Sequence, residues 1–545
     1  MGAFVTEWVT SSNGETITLP LTAGYTYNCT VDWGDSGPTS TITAYNDADR
    51  IHTYSSAGTY QVSITGTCEG WSFNNGGDKL KITKVISWGT GASFNGFKYL
   101  KSGFYGCVSL TSLPTDGTKI LASGDGVTTD GFYQLFRSCS NIEEIPSSIF
   151  DNHVKVESFE RCFILCTRLA TIPDGLFGYN TAVINFEDCF WGCSSLNNIP
   201  SNLFSENVEV TNFSGCFSDC GSLAAIPDDL FTSNIEVTSF RECFYGCTSI
   251  VAIPEDLFAF NTKVTSFREC FYNCASITAI SDGLFEHNED VTDFNSCFYG
   301  CSLLTTAPNS LFATNVDVTD FSYCFSGCYS LQQNPWTFYT DGQQATRFNG
   351  KIVDFTGCFE RSAFAGSQGT APDLWECDFG SGSATKTNCW YGSGNSLTSL
   401  TNYYSIPDEW IENNYRSVID SIATNDSVEV TEWETNSYRE VTDSLAAISD
   451  LVEIEIGKEY SDSLAISDSL EAVGNFYKSI SASLSTEDSL GINLEFSREV
   501  RDVLFIGDSV QLELERNNSD GIILIDSVET EISKELMIVY QQRIP

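Results

Sequence analysis

The residues with the most obvious chemistry are cysteines four apart. "SFRECFYGCTSI" (239–250) carries Cys243 and Cys247, and "SFRECFYNCASI" (266–277) repeats it with Cys270 and Cys274. Structural zinc takes four ligands, usually from short Cys knuckles. Here the pair recurs in copy after copy with no histidine beside it. Partners i and i+4 on one short turn suit a disulfide poorly, although rungs of a cysteine ladder lie close enough to oxidise. A redox thiolate wants cations and access, and these thiols are flanked by Phe. Packing remains, because cysteine is small and readily buried.

Other chemistry is thin. The chain has no GxSxG, HExxH or P-loop motif, so an enzyme is not expected. Carboxylate pairs such as Asp228–Asp229 and Glu255–Asp256 follow a turn position and read as caps rather than hydrolytic dyads. His52 reads as structural, and His153 and His287 as exposed residues of bends. No cofactor is implied. Calcium is the one ion with hard oxygen ligands on offer, in "DWGD" and in Asp-Ser bends near the C-terminus, but none has the spacing of a defined calcium loop.

The elements that must position these residues follow from the spacing. The first cysteine falls at Cys162, Cys189, Cys216, Cys243, Cys270, Cys297 and Cys324, and the second at Cys166, Cys193, Cys220, Cys247, Cys274, Cys301 and Cys328; every step is 27. Cys107, Cys139, Cys358 and Cys389 mark weaker copies, so there are about eleven turns. Such a period predicts a solenoid whose turns stack flush. In each turn the C-F-x-x-C segment is expected to form a short helical turn. Leu223 and Ile226, or Ile250 and Ile253, are expected to lie on a strand that Pro227 or Pro254 ends. Asn180, Asn207, Asn234, Asn261, Asn288 and Asn315 share the register and predict a second ladder, with side-chain amides bonding backbone groups at each bend.

Residues 1–75 differ. In "YTYNCTVDW", Tyr25, Tyr27, Cys29, Val31 and Trp33 alternate, as do Tyr60, Val62 and Ile64 in "TYQVSI". Period two means half-buried strands. "VDWGDSG" followed by "IHTYSSAGTYQVSITG" resembles the PKD-type immunoglobulin-like domain: Asp32, Trp33, Gly34, Asp35, His52, Tyr54, Gly58, Tyr60 and Val62 match, and Ser36 departs from the usual Gly. The resemblance implies a β-sandwich and no catalysis.

Residues 76–410, with "CFYGCTSI", "CFSGCYSL", "VTSF" and "VTDF", resemble the BspA-like leucine-rich repeat surface proteins, with Cys where that family more often has Met. The resemblance implies adhesion and partner binding at surfaces. Residues 330–410 are degenerate, and Trp336, Trp375, Trp390 and Trp410 gather there, as a cap over the last turn or as an aromatic sugar-binding surface. Residues 411–545 lose cysteine and carry paired Asp-Ser bends between alternating strands, at Asp420 and Asp426, Asp462 and Asp468, Asp502 and Asp508, and Asp520 and Asp526. They predict a β-repeat stalk or assembly region, stacked within one chain or between copies. The fold class is therefore mainly β.

The 545-residue chain has 27 Lys+Arg against 72 Asp+Glu, a formal net charge of -45. That charge repels nucleic acid and anionic membranes, and no apolar run is long enough to span a bilayer. The start of the sequence lacks the pattern of a signal peptide, so free thiols are the default. The expected function is non-enzymatic: a phage virion-exposed fibre or decoration protein that binds a host surface. The alternatives are a bacterial cell-surface adhesin or the accessory binding part of a polysaccharide-degrading system. The expected partners are other virion or surface proteins, a host-surface glycan or protein, and copies of itself through the C-terminal repeats. The candidate binding surface is the variable residues around the cysteines: Glu160, Arg161, Glu187, Asp188, Arg241, Glu242, Tyr245, Arg268, Glu269 and Tyr272.

Overall fold

A computed structural model describes residues 2–89, 93–115, 120–121, 132–151, 153–308, 310–331, 347–360, 374, 377–390 and 410, and the backbone of seven strands between 463 and 525. The chain forms two units, Met1–Trp410 and Ile411–Pro545. It is rich in β-structure. Among the described residues there is no α-helix, and Ala48–Arg50 is a 3-10 turn.

The N-terminal strands are β1 (Phe4–Thr10), β2 (Thr16–Thr18), β3 (Tyr27–Asp32), β4 (Ser40–Ile42), β5 (Ile51–Thr53), β6 (Gly58–Cys68) and β7 (Ile82–Ser87). Five of them make an antiparallel sheet in the order β4-β3-β6-β1-β7, and β2 pairs with β5. The alternation seen in the sequence sets the faces: Tyr27, Cys29 and Val31 of β3 are buried, and so are Val62 and Ile64 of β6. The turn after β3 needs Gly34, which has φ +76°; a Cβ there would lie 2.5 Å from the Gln61 carbonyl oxygen. Tyr54 donates its hydroxyl to the Trp33 carbonyl at 2.9 Å, and His52 stacks on Trp33.

The boundary expected at residue 75 is not a break. β7 completes the sheet beyond it, and the aromatic core runs on. Trp71 packs on Phe4 and Phe104, Trp88 packs on Phe104, and Phe104 stacks on Phe136. A sheet edge and a repeat end would each expose apolar surface alone, and packing them together buries both.

From about residue 100 the repeat units lie one upon another. Three columns of Phe run through them at 0% exposure. One contains Phe213, Phe240 and Phe267, one contains Phe217, Phe244 and Phe271, and one contains Phe231, Phe258 and Phe285. Rings one unit apart are nearly parallel, with centroids 5.9 Å, 5.8 Å and 6.3 Å apart for the first pair of each. Units join through parallel single-residue bridges, such as Asn212 to Ser239 and Ser239 to Ser266, rather than through long strands. The stretch before Pro227, expected as a strand, keeps Leu223 and Ile226 buried but is not an extended strand.

The C-F-x-x-C segment is not a helical turn. Its amides alternate. Cys243 and Cys247 donate three residues back, to Phe240 and Phe244, whereas Glu242, Phe244 and Gly246 donate across to Arg268, Cys270 and Tyr272 of the next unit. Left-handed backbone at Glu242 (φ 56°) and Gly246 (φ 67°) breaks any right-handed helix and aims every second amide at the neighbour.

Among the described residues the column at Phe325 and Phe359 runs on to Trp390, stacked at 4.6 Å and 6°, and Trp410 lies against Phe355. Both tryptophans are buried. They cover ring columns and present no sugar-binding face. Trp336 and Trp375 lie outside the described residues. Strands β8 (Ile352–Asp354) and β9 (Ser383–Thr385) pair in parallel in this part.

In the second unit, β10 (Ser463–Ile466), β12 (Ser483–Thr486), β14 (Val503–Phe505) and β16 (Ile523–Ile525) form one parallel sheet. β11 (Glu471–Phe476), β13 (Leu490–Phe496) and β15 (Val510–Arg516) form another. Partners such as Ser463, Ser483 and Val503 are 20 residues apart, so these strands stack within one chain. The Asp-Ser bends at Asp420, Asp426, Asp462, Asp468, Asp502, Asp508, Asp520 and Asp526 lie outside the described residues.

Candidate functional site

The expected binding residues fall into one strip, because they all belong to the segment that carries the cross-unit ladder. Glu160, Glu187, Arg241 and Arg268 share one column. Arg161, Asp188, Glu242 and Glu269 share the next, and Tyr245 and Tyr272 a third. The second column is left-handed throughout, from Ser102 and Gln134 through Arg161, Asp188, Glu242 and Glu269 to Ser296 and Tyr323. The backbone repeats while the side chains vary, which is the arrangement of a display surface.

Each unit holds this segment in place with a cap. Asn212 accepts from the Ser214 amide at 2.9 Å, Ser239 from Arg241 at 3.2 Å and Asp293 from Asn295 at 2.8 Å. The oxygen stands in for a backbone acceptor two residues ahead of the segment.

Within the strip, charges pair with one another. Arg161 reaches Glu160 at 2.9 Å, Glu187 at 3.0 Å and Asp188 at 3.0 Å, tying two units together. Burial pushes the Glu160 and Asp188 carboxyls up, against the pull of Arg161. Arg241 pairs with Glu242, and Arg268 with Glu269, each within its own unit. Tyr245, Tyr272 and Tyr299 stack with centroids 4.5 and 4.4 Å apart and 3° between planes. Rings stacked face to face turn edges and hydroxyls outward, so this file offers hydroxyls rather than a flat aromatic platform. Tyr299 was not expected in the surface, yet it stands at the same repeat position as Tyr272 and the 27-residue step would have found it.

Both ladders are buried. Every repeat cysteine is a free thiol, and both members of each pair are 0% exposed. The second member is more than filler. Cys247 donates its thiol to the Phe217 carbonyl at 3.1 Å, and Cys274 to Phe244 at 3.1 Å, in a series that runs from Cys139 to Cys328. Burial raises these thiols, with Cys166 pushed up to about 12, whereas Cys29 is held below its ordinary value by a hydrogen bond from Cys68. A thiol reagent at pH 8 is therefore expected to modify almost none of the 21 cysteines in native protein, Cys29 first, and all of them after unfolding. Rapid modification of several thiols without loss of structure would refute the buried ladder.

The asparagines donate only. Asn261 Nδ2 reaches the Phe231 carbonyl at 3.1 Å and the Asn234 carbonyl at 2.8 Å. His153 occupies the same column one unit before Asn180, whose amide donates to the His153 carbonyl at 3.2 Å. His153 is 7% exposed and packs edge-on against Phe132, so it is not the exposed bend residue expected. The repeat register carries it inward with the asparagines. His287 is exposed.

Asp293, Asp320 and Asp354 lie in one column through parallel bridges. Burial, and then the like charge of Asp320, push the Asp293 carboxyl above its ordinary value. A raised folded pKa means that its contribution is fully present below the unfolded value near ~3.9 and is lost as pH rises through the folded pKa. Asp293→Asn keeps the acceptor for Asn295. It is expected to stabilise by about 0.5–1 kcal/mol at pH 7, with no gain below about pH 4. Thermal melts at both pH values measure this, and a destabilised variant at pH 7 would refute it.

In "DWGDSG", Asp32 accepts from the Gly34 amide at 2.9 Å, Asp35 accepts from Gly37 at 3.0 Å, and Asp35 pairs with His52 at 2.7 Å. These carboxylates serve the turn. Among the described residues, no group of three His, Cys, Asp or Glu is placed to hold a metal ion. No helix of the described residues is long and apolar enough to cross a membrane.

No family model matches the chain, and no curated protein matches it. Among solved structures, a chain of the Toll–Spatzle complex of Drosophila is similar at 12% identity and a TM-score of 0.16. The match covers 77% of this chain and 57% of that one. This chain thus spans little more than half the length of that neighbour, and so low a score carries no argument.

Proposed function

We propose that this is a non-enzymatic surface-binding protein: a PKD-like sandwich, then a BspA-like leucine-rich solenoid, then a β-repeat stalk or assembly region. It binds a host-surface glycan or protein through the strip that contains Arg161, Arg241, Arg268 and the tyrosine file. The observation that supports this reading is the strip itself. An invariant backbone ladder carries side chains that change from unit to unit, at positions the core does not need.

We place the protein on the outside of a phage virion, alongside other virion proteins. The thiol ladder favours this setting over an exported adhesin. Its second cysteines use their S–H protons as donors, so the ladder suits a chain that folds in a reducing cytosol. Mass spectrometry of purified virions, with antibody labelling of intact particles, tests the placement. Recovery of the protein only from a bacterial envelope would sink it.

A further inference from the structure

We propose that the groove where the N-terminal sandwich meets the first repeat units is a saccharide-binding site. The inference rests on the surface-binding reading above and gives it a location and a ligand class.

The groove has a volume of about 620 Å³, and Tyr45, Tyr99, Tyr133 and Lys101 are among the residues that line it. That size suits a small ligand or a few sugar rings. It is the N-terminal continuation of the strip. The Ser102 amide donates to the Tyr133 carbonyl and the Gln134 amide to the Glu160 carbonyl, the same ladder that Arg161 continues to Glu187. Lys101 and Tyr133 therefore precede Glu160 in one column, and Ser102 and Gln134 precede Arg161 in the next.

The lining is built in advance. Gln134 is 8% exposed and Ser102 is 5% exposed. Ser102 Oγ donates to Gln134 Oε1 at 3.1 Å, and Gln134 Nε2 donates to the Tyr133 hydroxyl at 3.0 Å. The Tyr133 oxygen thus accepts from Gln134 and keeps its proton for another acceptor. Lys101 sits 4.1 Å above the Tyr133 ring, and Tyr99 is backed by Tyr25 at 5.1 Å. Across the groove, Tyr27 fixes the loop around Thr22 through hydrogen bonds of 2.9 and 2.6 Å. Tyr45 is 44% exposed.

This chemistry selects the ligand. In a chain with 72 Asp+Glu, no carboxylate lines the groove among the described residues, and Lys101 is the only charged one of them that does. Sugar rings carry an apolar C–H face and a rim of hydroxyls. Tyrosine rings match the face, and Asn74, Gln134 and the hydroxyl groups match the rim. A uronic-acid or otherwise acidic sugar would add a contact to Lys101. A peptide would want aliphatic pockets or a free strand edge, and among the described residues only Leu21 and Ala23 give the groove aliphatic lining.

The test uses the full-length chain on a printed panel of neutral and uronic-acid-containing oligosaccharides, followed by calorimetry, beside binding to intact host cells. The expected result is binding to one saccharide class, weakened roughly tenfold or more by Tyr45→Ala and by Lys101→Ala. Melting temperatures should not change, and Lys263→Ala, far along the array, should bind as the parent does. Saccharide binding that survives both groove variants but falls in Arg241→Ala/Arg268→Ala would overturn the groove and leave the strip as the site. Cell binding with no saccharide bound would overturn the ligand class alone. Binding to neither would overturn this inference and the surface-binding reading together.

Discussion

Phe258→Ala is expected to cost about 3–5 kcal/mol. Phe258 is 0% exposed. It stacks on Phe231 at 6.3 Å and Phe285 at 6.2 Å, and it meets Phe240 and Phe267 at 4.7 Å and Phe271 at 6.2 Å. The ring thus joins all three columns and three successive units. The cavity cannot close easily, because each neighbouring ring is held by its own register partners. In an array whose stability is a sum of unit and interface terms, one such loss weakens two interfaces at once. Urea unfolding of parent and variant measures the cost, and amide exchange locates it. Loss of protection should centre on units containing Phe231, Phe258 and Phe285. A change below about 1 kcal/mol would mean the columns are not close-packed.

Much of this was legible because it is periodic. The 27-residue step places Cys243, Phe258 and Asn261 in columns before any coordinates are known, and burial then follows from residue type. Strand alternation predicted the buried face of β3. What stayed hidden has no residue-type signature. The left-handed positions are filled by Arg161, Asp188, Glu242 and Glu269 as well as by glycine, so composition does not reveal them. Their neighbours do carry a faint signal. Leu165, Gly192, Asp219, Gly246, Asn273 and Gly300 alternate along one column, because each side chain occupies the space above the next unit. A Cβ on Gly246 would lie 2.2 Å from the Asp219 carboxyl. That is a period of two units, easily missed beside the period of one. The thiol donor of Cys247 was hidden for another reason: burial explains cysteine well enough that its hydrogen bond goes unasked. The groove beside Tyr133 depends on how the N-terminal sheet region and the first units meet, which no local pattern encodes.

Asn261→Asp is expected to be worse than Asn261→Ala, and the difference should depend on pH. The Asn261 amide donates to two buried carbonyls, and its Oδ1 has no hydrogen-bond partner. Alanine removes the donor. The Phe231 carbonyl still accepts from the Asn234 amide, and the Asn234 carbonyl from Val237. The loss is then of order 1–3 kcal/mol. Aspartate keeps the shape but sets a carboxylate against those two carbonyls in a site that is 0% exposed. Neither oxygen of the ionised group can donate, so the site raises its pKa far above that of the unfolded chain. By linkage, the stability of the Asn261→Asp variant is greatest below the unfolded value near ~3.9 and falls as pH rises through the raised folded pKa. The protonated acid can donate to one carbonyl and recovers part of what asparagine supplied. Denaturant unfolding at pH 4.5 and pH 8 should show the gap between Asn261→Asp and Asn261→Ala widening with pH, past about 3 kcal/mol at pH 8. Equal stability of the two variants at both pH values would mean that the asparagine column serves shape alone, and that the ladder stands on its Phe columns and its alternate amides without it.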